Sequence, residues 1–273
     1  SDLTKSLLSK IKSYIYSIKD VDYVYRIYNQ SKFNWRFLIA RVFGKKTISH
    51  WIGTDVLEEQ RNKNKIGTRI NRYVTFLNLA CSPLIKRELK DMGIDALEIP
   101  IVPTIKSEMV NNTLDNHAVL TYIPKGREKF YGMHYIDELA KRFPDINFHI
   151  VANDNDSINL KNVFFHGMLN KVEMEELYNK ITLLFRFPEH DGLSMMLLEA
   201  LAKGKQVIYP YEFPYVETPK SRKLQDVLDI FEQVVIKKPF NNIDGAKFVT
   251  ERYKEENIIN EYKKAFGIQN EKL

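Results

Sequence analysis

Short runs of apolar and β-branched residues alternate with longer amphipathic runs along most of this chain, and no other feature constrains the fold as strongly. Val21-Asp22-Tyr23-Val24-Tyr25-Arg26-Ile27-Tyr28 reads as a strand, Trp35 to Val42 as a helix, and Thr47 to Ile52 as a second strand after Gly44. Residues 57–73 are polar and helical, Thr75 to Cys81 is strand-like, Pro83 opens a helix that stops near Gly93, and Ala96 to Val102 is a further strand. Strand, helix, strand in this rhythm is how a parallel sheet with crossover helices is built.

The rhythm breaks at 104–116, a stretch poor in large apolar residues that reads as a linker, and then resumes. Strands are expected at 117–123, 147–152, 162–167, 181–187 and 206–209, with helices at 132–142, 171–179 and 194–203. Two consecutive Rossmann-like α/β domains follow: 1–103, short for its kind, and 117–243. A last helix at about 244–265 has no strand after it and is free to cross back to the first domain.

Charge divides along the same boundary. Residues 1–103 hold 18 Lys and Arg against 10 Asp and Glu, whereas 104–273 hold 23 against 25, so the basic excess behind the net +6 sits in the first part. Such a surface is either an ordinary solvated face or one suited to an anionic neighbour: a membrane face, a phosphorylated acceptor or nucleic acid. Nucleic acid is the weakest of these, because no recognised binding motif accompanies the charge. Residues 1–19 place Leu3, Leu7, Leu8, Ile11, Tyr14, Ile15 and Ile18 three and four apart, an amphipathic helix. Packing on the core is favoured over the lipid interface, since the segment lacks Trp and Phe. A lone cysteine, Cys81, excludes an internal disulfide, and six scattered histidines offer no zinc spacing, so no metal site is expected. With no membrane-spanning run and no signal-peptide pattern, the expected location is cytoplasmic, with peripheral contact at the inner membrane face.

Most of the chemistry is concentrated in 183–208. Leu183-Leu184-Phe185-Arg186-Phe187 is a buried strand, Pro188 to Gly192 a turn, Ser194 a cap, and Met195 to Ala202 a helix closed by Gly204 before the next strand. The turn lies at the carboxyl edge of the sheet, where open α/β sheets bind ligands and a helix N-terminus presents free N–H groups to a phosphate. Gly192 lets the backbone approach closely.

This run resembles the signature of the group-one glycosyl transferases, retaining enzymes of the GT-B architecture, in which two acids are separated by seven residues and the second is followed by Ala-x-Ala-x-Gly. Asp191 stands where that family usually has Glu, and Glu199 takes the second place. The resemblance implies that Asp191 engages hydroxyls of a donor sugar. It implies likewise that the amides around Leu193, Ser194 and Met195 hold a diphosphate and that Glu199 binds the nucleotide ribose. Lys125 and Arg127, around Gly126 and with Lys129 third, fall where the family sets a basic pair against the pyrophosphate. Phe165-His166-Gly167-Met168-Leu169 resembles the loop whose backbone reads the nucleobase, which assigns Met168 and Leu169. In the first domain Ser49-His50-Trp51-Ile52-Gly53-Thr54-Asp55 and Cys81-Ser82-Pro83 look like cleft-facing strand ends. Tyr28-Asn29-Gln30-Ser31-Lys32 stands where many relatives carry a Gly-Gly loop, so acceptor recognition is not legible.

Some residues keep two readings. Arg186 contacts phosphate or acceptor, or forms a structural pair with a carboxylate; His190 touches the sugar or caps its loop; His50 and Asp55 orient or deprotonate an acceptor hydroxyl, or are hydrogen-bonded structure. His117, His134, His149 and His166 read as structural or surface residues and Cys81 as core. Together these expectations describe a transferase moving a sugar, a hexose by preference, from a nucleotide diphosphate donor in an interdomain cleft. UDP-sugar is preferred to GDP-sugar, the acceptor is an unidentified glycan, lipid or protein, and transfer is with retention and without cofactor or metal. The alternatives are a non-catalytic sugar-nucleotide-binding module and a GT-B-like nucleotide-sugar epimerase.

Overall fold

The structure is a computed structural model and describes residues 2–27, 32–62, 65–101, 105, 109–110, 115–155 and 158–268. Most of the 104–116 linker, and residues 28–31 where the Gly-Gly loop is missing, lie outside the described residues. The chain forms two compact units, one from residues 1–101 and 258–273 and the other from 102–257.

The first unit is a four-stranded parallel sheet in the order β1-β2-β3-β4, from β1 (Tyr23–Ile27), β2 (Lys46–Trp51), β3 (Leu77–Ala80) and β4 (Leu97–Glu98). Helix α1 (Asp2–Ser17) precedes it, and α2 (Trp35–Val42), α3 (Thr54–Asn62), α4 (Ile66–Val74) and α5 (Pro83–Asp91) connect its strands. Local chemistry sets the helix starts: Asn34 caps α2 by accepting from the Arg36 N–H, and Ser82 caps α5 ahead of Pro83. The single helix expected over 57–73 is two, because each half packs on a different neighbour. α3 lies against α5, whereas α4 sits so close to the start of α2 that a methyl on Gly67 would come within 2.8 Å of Phe33 Cβ. β4 is shorter than the expected strand; Ile99 makes one further ladder bond to Ala80, and Pro100 then has no N–H to offer.

The second unit has five parallel strands, β5 (Ala118–Tyr122), β6 (Asn147–Val151), β7 (Val163–Phe165), β8 (Leu183–Phe185) and β9 (Gln206–Ile208), in the order β7-β6-β5-β8-β9. Between them run α6 (Met133–Arg142), α7 (Lys171–Asn179) and α8 (Met195–Ala202), followed by α9 (Leu224–Val235) and α10 (Ile243–Arg252). β8 is wholly buried, as its unbroken apolar run requires of a central parallel strand. Asn170 and Glu173 close a reciprocal capping box on α7. α9 was not foreseen, although Val227, Phe231 and Val234 repeat at helical spacing and are all buried in the core with Phe148 and Phe185. The helix expected at 244–265 breaks at Tyr253 and Lys254: α10 packs on α8, while α11 (Glu255–Phe266) joins the first unit from Ile258 onward. There Phe266 stacks on Tyr23 of β1 with ring centroids 5.2 Å apart, so the C-terminal helix does cross back.

Candidate functional site

In the second sheet the strand order runs outward from β5 through β6 to β7, then reverses through β8 to β9, so the topological switch point lies between β5 and β8. At the carboxyl ends of such a pair two loops diverge and leave a crevice. Here they are 123–132, carrying Lys125, Gly126, Arg127 and Lys129, and 186–194, carrying Arg186, His190, Asp191, Gly192, Leu193 and Ser194. Two stretches more than fifty residues apart in sequence thus meet at the switch point. They are tied together where the Glu189 N–H donates to the Phe130 carbonyl at 2.7 Å.

Arg186 leaves the end of β8 and donates from Nε to Asp191 Oδ2 at 2.7 Å, with side-chain exposures of 9% and 12%. Of its two readings, the carboxylate pair is what the structure contains. The other carboxylate oxygen, Oδ1, accepts from the Gly192 N–H at 3.1 Å, and the buried phenol of Tyr209 bonds to the same group. The Arg186 guanidinium lies over the rings of Tyr122 and Tyr131 at 5.8 and 5.7 Å, which links the pair to the end of β5. Asp191 is therefore oriented before any ligand arrives, with lone pairs remaining on both oxygens.

Helix α8 begins directly behind it. Ser194 Oγ accepts from the Leu197 N–H at 3.3 Å, leaving the N–H groups of Met195 and Met196 without intrahelical acceptors at the positive end of the helix dipole. One turn on, the half-buried Glu199 accepts from the Tyr178 phenol of α7 at 3.2 Å. Burial raises the Glu199 pKa above its ordinary 4.5, against the lowering effect of that phenol. Tyr178 is itself enclosed, and the ammonium of Lys203 lies 5.3 Å from its ring centre while pairing with Glu175.

The basic loop is more open. Lys125 pairs with Asp154, beyond β6, at 2.8 Å, and both side chains are largely exposed. Arg127 stacks over Phe130 at 4.4 Å. Gly126 turns the chain at φ +81° and gives its N–H to Glu128 at 2.9 Å. Lys129 lines a depression of about 570 Å³ together with His134 and Asp137. Met168 is exposed and Leu169 half-buried, in a loop pinned to the end of β6 by bonds between Gly167 and Asn153 and between Gly167 and Ala152. His190 is half-buried in the turn before Asp191. His149 and His166 bond to each other at 2.9 Å.

Of the two readings of His50, the hydrogen-bonded one is what the structure contains. It is fully enclosed in the first unit, its Nδ1 meeting the phenols of Tyr25 and Tyr262, the latter at 3.3 Å, and burial lowers its pKa to about 4. The ring is packed edge-on against Tyr25, with centroids 5.8 Å apart, and tilted against Tyr262. Asp55 is likewise buried, its carboxylate accepting N–H bonds from Ile52 and Gly53 in the turn that leads into α3. Sequence reasoning also missed Tyr178, Tyr209 and Tyr122. Each reads as an ordinary apolar position on its own element, and each meets its acid or cation only through tertiary folding. Among the described residues, no group of three or more His, Cys, Asp or Glu is placed to hold a metal ion.

No protein-family model matches the sequence, and no curated protein matches it. Solved structures do resemble it. Sucrose-phosphate synthase from Thermosynechococcus elongatus superposes with a TM-score of 0.73 over 96% of this chain and 78% of its own, at 12% identity. Anabaena HepE, solved with UDP and glucose, gives 0.69 over 97% and 82%, at 14% identity. The lipopolysaccharide outer core galactosyltransferase WaaB in its apo form gives 0.69 over 98% and 82%, at 17% identity. This likeness establishes the fold: two Rossmann-like domains of the GT-B architecture.

Proposed function

We propose that the protein is a nucleotide-sugar-dependent glycosyltransferase whose donor binds at the switch point of the second unit. The observation that carries the reading is the carboxylate of Asp191, held by Arg186 at the mouth of the β5–β8 crevice directly ahead of the α8 N-terminus. Its remaining lone pairs suit hydroxyls of a hexose. The amides from Leu193 to Met195 suit a diphosphate, and Glu199, steadied by Tyr178, suits the two hydroxyls of a ribose. Backbone groups at Met168 and Leu169 are assigned to the nucleobase, and His190 to the sugar. UDP is the preferred nucleotide, in keeping with the UDP and glucose held by the HepE structure.

In this mechanism the bond from the anomeric carbon to the diphosphate oxygen breaks as the acceptor oxygen attacks, and negative charge accumulates on the leaving diphosphate. Lys125, Arg127 and the preorganised N–H dipoles of α8 stabilise that charge, so the mechanism calls for no divalent ion. Lys125 leaves only an exposed pair with Asp154 in order to reach the phosphate. Retention follows if the leaving phosphate takes the acceptor proton on the face it departs from. This scheme requires no protein nucleophile and assigns none to His50.

The test is calorimetric titration of the four nucleoside diphosphates of U, G, A and T into the wild type and Glu199→Ala, followed by incubation with the matching nucleotide sugars. Selective binding of UDP that is lost in the variant, with transfer to an added acceptor, is the expected result. Binding without turnover would make the chain a carrier module, and epimerised donor without transfer would make it an epimerase. Failure of all four nucleotides to bind would remove the site.

A further inference from the structure

We propose that helices α1, α2 and α4 of the first unit form a docking surface for an anionic lipid bilayer. The three make one layer, with α2 holding the other two: Trp35 meets Tyr14 of α1 edge-on at 5.5 Å, and the backbone N–H of Asn34 donates to Asn71 of α4 at 3.0 Å. Their sequences contain a single acid, Asp2 at the very start of α1, against seven Lys and Arg. Arg72 is taken up by Glu59 at 2.6 Å, but Lys10, Lys12, Arg36, Arg41 and Arg69 are exposed. The unit does not lack acids, for α3 alone carries Asp55, Glu58 and Glu59; of these, Glu59 meets the layer, through its pair with Arg72.

Cations alone would fit any polyanion. The side chains between them favour lipid, because aliphatic groups stand exposed on all three helices: Leu7 at 51%, Leu8 at 57%, Val42 at 76% and Ile66 at 76%. A solvated surface bears such residues singly, whereas here each of the three cationic helices carries at least one. Helix α1 shows the arrangement in detail. Leu7 and Leu8 extend the apolar stripe of Ile11, Tyr14, Ile15 and Ile18, and whereas Ile18 is buried at 5% exposure, the two leucines are left uncovered. Lys10 and Lys12 each sit about 100° around the helix from Ile11, one on either side. Their methylene stems can lie along the stripe with the ammonium groups raised to phosphates while the leucines enter the acyl boundary. No helix among the described residues is long and apolar enough to cross a membrane, so this contact would lie in the interface.

The inference is independent of the donor site and is tested without it. Full-length protein is floated with vesicles of phosphatidylcholine alone and with vesicles in which part of it is replaced by phosphatidylglycerol, and a DNA duplex serves as a competing polyanion. Binding is expected to the anionic vesicles only and to weaken as salt is raised. Each Lys near such a surface contributes roughly a factor of five, so Lys10→Gln with Lys12→Gln should weaken binding about thirtyfold. Leu7→Ser with Leu8→Ser should abolish it with an unchanged circular dichroism spectrum, and Lys161→Gln with Lys247→Gln in the second unit should have no effect. Equal binding to both vesicle types, or binding indifferent to the leucine pair, would overturn the proposal. Tight DNA binding without vesicle binding would also overturn it, and would assign the layer to nucleic acid.

Discussion

Replacing Arg186 by Met removes one partner of a pair with only 9% and 12% of its side chains exposed, and leaves the Asp191 carboxylate enclosed with one N–H and one phenol for company. Breaking a buried pair in this way typically costs about 3–5 kcal/mol, mostly the penalty of the stranded charge. The cost should fall on the second unit, and the sequence supplies a control. Both tryptophans, Trp35 and Trp51, lie in the first unit, so their emission should be unchanged while hydrogen exchange reads the second. Amides of β5 and β8 should lose roughly two to three and a half powers of ten in protection, at a factor of ten per 1.4 kcal/mol. Adding Asp191→Leu removes the charge altogether and should restore most of the stability; on the proposed function it should not restore nucleotide-sugar turnover. A single variant that costs under about 1 kcal/mol would place the pair in an effectively solvated setting and refute the reasoning, as would a double variant no more stable than the single.

Tyr178→Phe removes the hydrogen bond to Glu199, worth about 1 kcal/mol, and should weaken nucleotide binding about fivefold in calorimetry with little change in turnover at saturation. Because burial holds the Glu199 pKa above 4.5, nucleotide affinity should be full at neutral pH and fall as pH drops through that raised value; Glu199→Gln should bind weakly with no such pH step, and a matching step in the variant would assign it elsewhere. Gly132→Ala sets a methyl 3.0 Å from the Phe187 carbonyl at φ +79°, and thermal unfolding should show a loss of at least about 1–2 kcal/mol. Phe231→Ala on α9, in the core with Phe148 and Phe185, should cost about 3–5 kcal/mol by denaturant titration.

The elements that were legible in the sequence are those whose signals are local. α2 and α7 begin and end where their caps and periodicity put them, and the strand–turn–helix at 183–202 could be read from one window of residues. What escaped depends on partners far along the chain. The split between α3 and α4 comes from Gly67 fitting against Phe33, and the enclosure of His50 comes from Tyr262 more than two hundred residues later. Asp191 and Glu199 were visible as acids at a spacing, but the phenols and guanidinium that orient them carry no pattern of their own. α9 is a different case: its periodicity was present in the sequence, beyond a Pro- and Tyr-rich stretch that masks where the helix begins.

The aspartate at 191 and the arginine at 186 are best understood together. They are five residues apart across a turn, not on a helix, so an ion pair between them closes the loop that joins β8 to α8. Closing it unliganded means that the ordering entropy of the turn is met during folding and not at binding, which favours affinity for whatever enters the crevice. A glutamate would add a methylene to the same enclosed space, where Tyr122 and Tyr131 already lie against the guanidinium, and would have to bend its chain to keep the 2.7 Å contact. The shorter acid is thus matched to its cation. On the proposed function this matching sets where the sugar hydroxyls must sit: Asp191→Glu should alter the choice among UDP-hexoses more than it alters affinity for UDP itself, since the diphosphate and ribose contacts are assigned to backbone from Leu193 onward, to the basic loop and to Glu199, not to the Asp191 carboxylate. Competition binding with free UDP and with two UDP-hexoses, wild type against variant, separates the two effects. Equal weakening of all three ligands would show that Asp191 only shapes the loop.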